Sequence, residues 1–122
     1  MKKILSLLLL TFSLFSCSDD TSTNSYEIKF ALSGDYTGTL NAKYPNANGA
    51  EINESITSLP WTKTIIYNQS VQSTTLTVTG SGGTAGQTLE IKSYQGGKKL
   101  LTDTETAASD GTITITSPMI LF

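Results

Sequence analysis

Residues 26–32 alternate without a break: Tyr26, Ile28, Phe30 and Leu32 fall on one face, and Glu27, Lys29 and Ala31 on the other. A period of two predicts a strand with one face buried and one wet. Ser33-Gly34-Asp35 reads as a turn. The alternation resumes at Leu40, Ala42 and Tyr44, with Asn41 and Lys43 outward, until Pro45-Asn46-Ala47-Asn48-Gly49 makes a loop. Residues 51–58 form a weaker strand with Ile52 and Ile56 inward, ended by Pro60, which has no N–H to give a ladder. A strand rich in Thr and Ile follows over residues 61–67, then a turn at Asn68-Gln69-Ser70. Residues 74–79 alternate again, with Leu76 and Val78 inward, and the glycine-rich residues 80–86 read as a flexible loop. Residues 88–94 and 98–104 make a hairpin about Gly96-Gly97, a pair that tolerates the positive φ of a tight turn. After Asp110-Gly111, residues 112–116 place Ile113 and Ile115 inward. Seven or so short strands at this spacing predict an all-β antiparallel sandwich over residues 26–122. The apolar Met119-Ile120-Leu121-Phe122 is expected to be a terminal strand packed on the core; the alternative is an exposed patch for a partner.

The first residues follow another pattern. Met1-Lys2-Lys3 is basic, and residues 4–15 are apolar apart from Ser6, Thr11 and Ser13. A spanning helix needs about 20 apolar residues, so this run reads as a secretory signal peptide. It ends in Leu14-Phe15-Ser16-Cys17, and Cys17 is the one cysteine of the chain. That segment resembles a bacterial lipoprotein precursor. The resemblance implies removal of residues 1–16, acylation of the Cys17 sulfur and its new amino group, and a membrane anchor. The bland alternative is an ordinary signal peptide beside an incidental thiol. One acyl chain binds a bilayer only marginally, whereas several hold permanently. Residues 18–25 are polar with nothing to bury, so residues 17–25 are expected to be a lipidated tether of at most about 26 Å. Asp19 and Asp20 read either as solvated charge or as an address resembling those of surface-displayed lipoproteins; the expected location is the cell envelope, at the outer membrane, with its face left open.

Composition narrows the function. Without Lys2 and Lys3, six lysines stand against ten acidic residues, a net charge of about −4, which argues against nucleic acid. With no His and no free thiol after acylation, the commonest general base, metal ligand and thiol nucleophile are missing. No Gly-x-Ser-x-Gly elbow occurs, and Gly80-Ser81-Gly82-Gly83 lacks the Lys-Ser/Thr of a phosphate loop. Asn46, Asn48, Glu51 and Glu54 offer oxygens beside Gly49, but at no standard calcium spacing, and are read as solvated side chains. Asp103 and Glu105 share a strand face and read as surface acids. No catalytic residue, metal or cofactor is expected, and an enzyme is not. Trp61 is read as a buried ring across the sandwich, the alternative being a sugar-stacking platform. Tyr36 and Tyr94, each beside a turn, are the candidate ligand contacts.

Leu59-Pro60-Trp61-Thr62-Lys63 resembles a mid-chain segment of the MmpS family of small membrane proteins. Tyr26-Glu27-Ile28, Gly34, Tyr44, Asn48-Gly49 and Gly97-Lys98 agree in order. The resemblance implies an immunoglobulin-like β-sandwich at a membrane, an accessory role beside a proton-driven exporter, and structural roles for Leu59, Pro60, Trp61 and Lys63. The chain differs from that family in its lipobox and in lacking a cysteine pair in the later strands. The function expected is that of an anchored, non-catalytic adaptor docking on an envelope protein; the alternative is a surface lipoprotein that binds a soluble glycan or peptide. Oligomeric state is left open.

Overall fold

The computed structural model describes residues 25–122, and the signal segment, Cys17, Asp19 and Asp20 lie outside them. Ten strands follow in order: β1 (Glu27–Gly34), β2 (Thr39–Pro45), β3 (Glu51–Ile56), β4 (Trp61–Ile66), β5 (Ser73–Thr74), β6 (Thr77–Ser81), β7 (Thr88–Gln95), β8 (Lys98–Thr106), β9 (Ile113–Thr116) and β10 (Ile120–Leu121). Two antiparallel four-stranded sheets, ordered β4-β1-β7-β8 and β3-β2-β6-β9, face each other as a β-sandwich; β10 pairs with β5 separately.

The alternation seen in the sequence sets the faces. Ile28, Phe30 and Leu32 of β1, Leu89 and Ile91 of β7, and Val78 of β6 are almost wholly buried, as is Leu76 just before β6. Burying each such side chain contributes about 2 kcal/mol. Gly96 and Gly97 take φ of 59° and 83°, as a two-residue hairpin turn requires.

Several expectations are corrected. Gly80 and Ser81 are not loop: they end β6, opposite Leu40 and Thr39 of β2. Met119-Ile120-Leu121-Phe122 divides between packed and exposed positions. Ile120 is buried and Phe122 half-buried, whereas Met119 and Leu121 are 65% and 68% exposed, because a strand of period two on a sandwich rim has one dry side. Ser25, placed with the tether, is fastened to the domain: its hydroxyl accepts from the Glu27 N–H, and its carbonyl from the Gln95 amide at 2.8 Å.

Strand register fixes what lies at each end. Ser25, the loop at 46–50, the Gly96-Gly97 turn and Phe122 share one end, tied by Tyr67 N–H to Tyr26 carbonyl, Gly96 N–H to Glu27 carbonyl and Asn68 N–H to Ala47 carbonyl. The loops at 35–38, 57–60, 82–87 and 107–112 share the other, tied by Asp35 N–H to Thr88 carbonyl and Gly83 N–H to Gly111 carbonyl. These are called the near and far ends below.

Candidate functional site

Each sheet has two outer strands, so the sandwich has two lateral seams, one between β3 and β4 and one between β8 and β9. Charged side chains pointing inward on such strands stop edge-to-edge aggregation, and both seams have them.

At the first seam the inward phase of β3 runs Ile52, Glu54, Ile56, and that of β4 runs Trp61, Lys63, Ile65. Glu54 and Lys63 meet at 3.1 Å, each about one-third exposed. The Tyr44 hydroxyl donates to Glu54 Oε1 at 2.5 Å, and the Trp61 indole N–H reaches Oε2 at 3.4 Å. Lys63 Nζ also stands 5.8 Å from the centre of the Tyr44 ring, within cation–π range. Hydrogen bonds from Tyr44, then Lys63 and Trp61, hold the Glu54 carboxyl below its usual range. Glu54 in turn pushes the Lys63 ammonium up, and burial followed by the Glu54 contact pushes the Tyr44 phenol up. All three shifts favour one protonation state, with Glu54 charged, Lys63 charged and Tyr44 neutral. The cluster is a clamp in which the Glu54 carboxylate accepts from Tyr44, Trp61 and Lys63 at once. Two of the four residues named from the Leu-Pro-Trp segment, Trp61 and Lys63, stand in this cluster; Leu59 packs half-buried against the core and Pro60 is exposed beside it. Trp61 does not cross the sandwich as a buried ring. It is half-buried at the seam, tilted against Tyr44 with ring centres 6.4 Å apart, because β4 is an outer strand. Sequence reading missed Glu54 and Lys63 as partners. The signal was there: each is a charge standing in the apolar phase of its strand's alternation.

The second seam is built differently. β8 pairs with β7 on one side and, among the described residues, with no strand on the other. All its residues but half-buried Asp103 are exposed, including Leu100 and Leu101 at 37% and 51%. Leu101, Asp103 and Glu105 lie opposite the inward residues Ser93, Ile91 and Leu89 of β7, so they face the sandwich interior direction without being covered by it. Asp103 and Glu105 thus do share a face, and with Thr114 and Thr116 of β9 they border a shallow concavity of about 290 Å³. A bulge in the β7–β8 pairing falls between Ser93 and Tyr94, beside Leu100. Ser93, 1% exposed, has an Oγ with no partner among the described residues.

The two candidate tyrosines separate. Tyr36 is a correction: it is 5% exposed, and its hydroxyl donates to the Gly111 carbonyl at 2.5 Å. Its ring lies so close to Gly38, Gly80 and Gly83 that a Cβ at any of the three would run into it. The turn beside it misled, because the glycines around it signal a buried ring rather than a loose loop. Tyr94 remains accessible. It lies half-buried on the outer face of the first sheet, with Lys29 Nζ 5.2 Å from its ring centre, and with Glu27, Thr64 and Gly97 it lines a hollow of about 270 Å³.

The oxygens around Gly49 are not brought together. Asn46 Oδ1 accepts from the N–H groups of Asn48 and Ala50, Asn48 Oδ1 accepts from the Asn68 amide, Glu51 pairs with Lys43 at 3.8 Å, and Glu54 belongs to the clamp. Among the described residues no three His, Cys, Asp or Glu side chains are grouped for a metal. No family model matches the chain, and no curated protein matches it.

Proposed function

We propose that this protein is a membrane-anchored, non-catalytic adaptor that works by docking on an envelope protein through β8. The observation behind the reading is β8 itself: nine residues, an outward hydrogen-bonding edge with no strand beside it among the described residues, and two exposed leucines. A contact strand of this kind supports affinity through main-chain bonds and through the side chains flanking them. Asp103 and Glu105 favour a partner surface carrying positive charge. The likeness to the MmpS family at Leu59-Pro60-Trp61-Thr62-Lys63 supports an immunoglobulin-like description of the sandwich, and makes an exporter the first partner class to examine. The lipid on Cys17 belongs to the same proposal.

A photo-crosslinking residue in place of Leu101, in cells, tests it against the same residue in place of Ser55 on the opposite sheet. One stoichiometric envelope partner captured from position 101 and not from 55 is expected. Equal or no capture from the two positions sinks the adaptor reading.

A second reading, capture of a soluble glycan or peptide at the surface, is favoured by Tyr94. An accessible aromatic ring beside Lys29, Glu27 and Thr64 combines a stacking surface with donors and acceptors. Protease shaving of intact cells separates the readings, since a fully protected domain cannot capture from outside.

A further inference from the structure

The exposed apolar and charged side chains are not spread evenly along the sandwich. Ile66, opposite Glu27 at the start of β1, is 69% exposed, and Met119 and Leu121 lie on the terminal strand at the same end. Lys98 and Lys99 lead out of the Gly96-Gly97 turn at that end, and among the described residues neither makes an ion pair. The near end also carries Glu27 and Glu51, the latter paired with Lys43, whereas the far end carries Asp35, Asp110 and, at the end of β8, Glu105, and among the described residues no lysine. Ser25, the first described residue, is bonded into the near end.

We infer that the near end, through Ile66, Met119, Leu121, Lys98 and Lys99, rests on an anionic lipid surface. The inference rests on the anchor at Cys17. Isolated exposed apolar residues need no explanation, but three large ones at the same end of the sandwich as two unpaired lysines fit a bilayer interface, where apolar groups enter the headgroup layer and ammonium groups meet lipid phosphates. Lysine stems reach past buried apolar neighbours to keep their charge at the headgroups. The stacked rings of Tyr26 and Phe122, 4.9 Å apart, add an aromatic rim. Chain length chooses the end. The eight peptide units from Cys17 to Ser25 extend at most about 26 Å, and β1 alone, eight residues long, covers about the same distance. The domain therefore reaches the surface with its far end only on a linker stretched taut, whereas the near end reaches it without stretching. The balance of charge favours the same orientation: the near end sets Lys43, Lys98 and Lys99 against Glu27 and Glu51, whereas the far end has Asp35, Glu105 and Asp110 with no lysine among the described residues and is repelled by anionic lipid.

The test uses the mature acylated protein in vesicles of phosphatidylethanolamine and phosphatidylglycerol, and in phosphatidylcholine alone. Single spin labels are placed at Leu121→Cys and Ile66→Cys, and at Thr57→Cys and Ser109→Cys of the far end. Near-end labels are expected to lose collisions with a water-soluble nickel complex several-fold relative to far-end labels. The loss is expected to shrink on phosphatidylcholine and in Lys98→Gln/Lys99→Gln protein. Equal accessibility at both ends, in protein that carries its acyl mass and floats with the vesicles, overturns the inference and leaves the anchor standing. Protein without acyl mass that does not float overturns the anchor and the inference with it. Protection independent of lipid charge removes the role given to the lysines.

Discussion

The two lateral seams of the sandwich solve one problem in opposite ways. Both rims carry charges in the inward phase of an outer strand. At β3–β4 the charges have opposite sign and come from facing sheets, so Glu54 and Lys63 close on each other at 3.1 Å and draw in Tyr44 and Trp61. At β8–β9 both charges are acids on one strand, and the facing positions of β9 are Ile113 and Ile115, so nothing closes. An inward charge keeps a rim from aggregating in either case. Only a complementary charge across the seam turns it into a clamp, and the seam without one stays open among the described residues.

The sharpest way to break this contrast is Trp61→Ala. It removes a half-buried ring from the clamp, and a loss of about 2–3 kcal/mol is expected in urea unfolding. Glu54→Ala comes next: it strands the Tyr44 hydroxyl, the indole N–H and Lys63 together, with an expected loss of about 1–3 kcal/mol. The pH response has the same origin. The folded Glu54 carboxyl titrates below its ordinary value of 4.5, so its stabilising share is whole above that pH and is lost as pH falls through the lower folded value. Acid titration of stability is therefore expected to drop more steeply in the parent than in Glu54→Gln below about pH 4.5. Lys63 and Tyr44 are shifted upward, so their share is present below their ordinary values of 10.5 and 10.0 and fades as pH rises past them. Beside the open seam, Ser93→Ala removes a buried hydroxyl without a partner, and a change between zero and about 1 kcal/mol in favour of folding is expected by calorimetry. Leu101→Ser, on the exposed strand, is expected to shift stability by no more than about 0.5 kcal/mol while abolishing partner capture. A stability loss there as large as at Trp61 would erase the contrast between the seams.

Most of the strands were legible because the buried positions repeat every second residue: β1, β2, β3, β4, β7, β8 and β9 fall within two residues of where the alternation places them. β10 falls within the terminal strand expected over residues 119–122, whereas the two-residue β5 was not separately legible, because residues 74–79 read as one strand. Legibility failed where a side chain's role depends on which strand is outermost. Glu54, Lys63 and Asp103 all stand in an inward phase, yet strand order decides which of them finds a partner, and order is set by long-range pairing. Tyr36 failed for another reason. Gly38 lies two residues away, but Gly80 and Gly83 come from one distant stretch and the Gly111 carbonyl from another, so the cavity it fills is invisible in any one window of sequence.

That last feature reaches beyond this chain. At Gly83 the ring of Tyr36 is all that crowds a Cβ, whereas the backbone of Ser81 and Gly83 also excludes one at Gly38, and Leu40 and Ile113 crowd one at Gly80. If a smaller side chain replaced Tyr36, the need for a bare α-carbon would lift at Gly83 alone, so Tyr36 and Gly83 are expected to be kept or abandoned as a pair. Such a sparse signature can be searched for among chains too diverged for overall similarity to register.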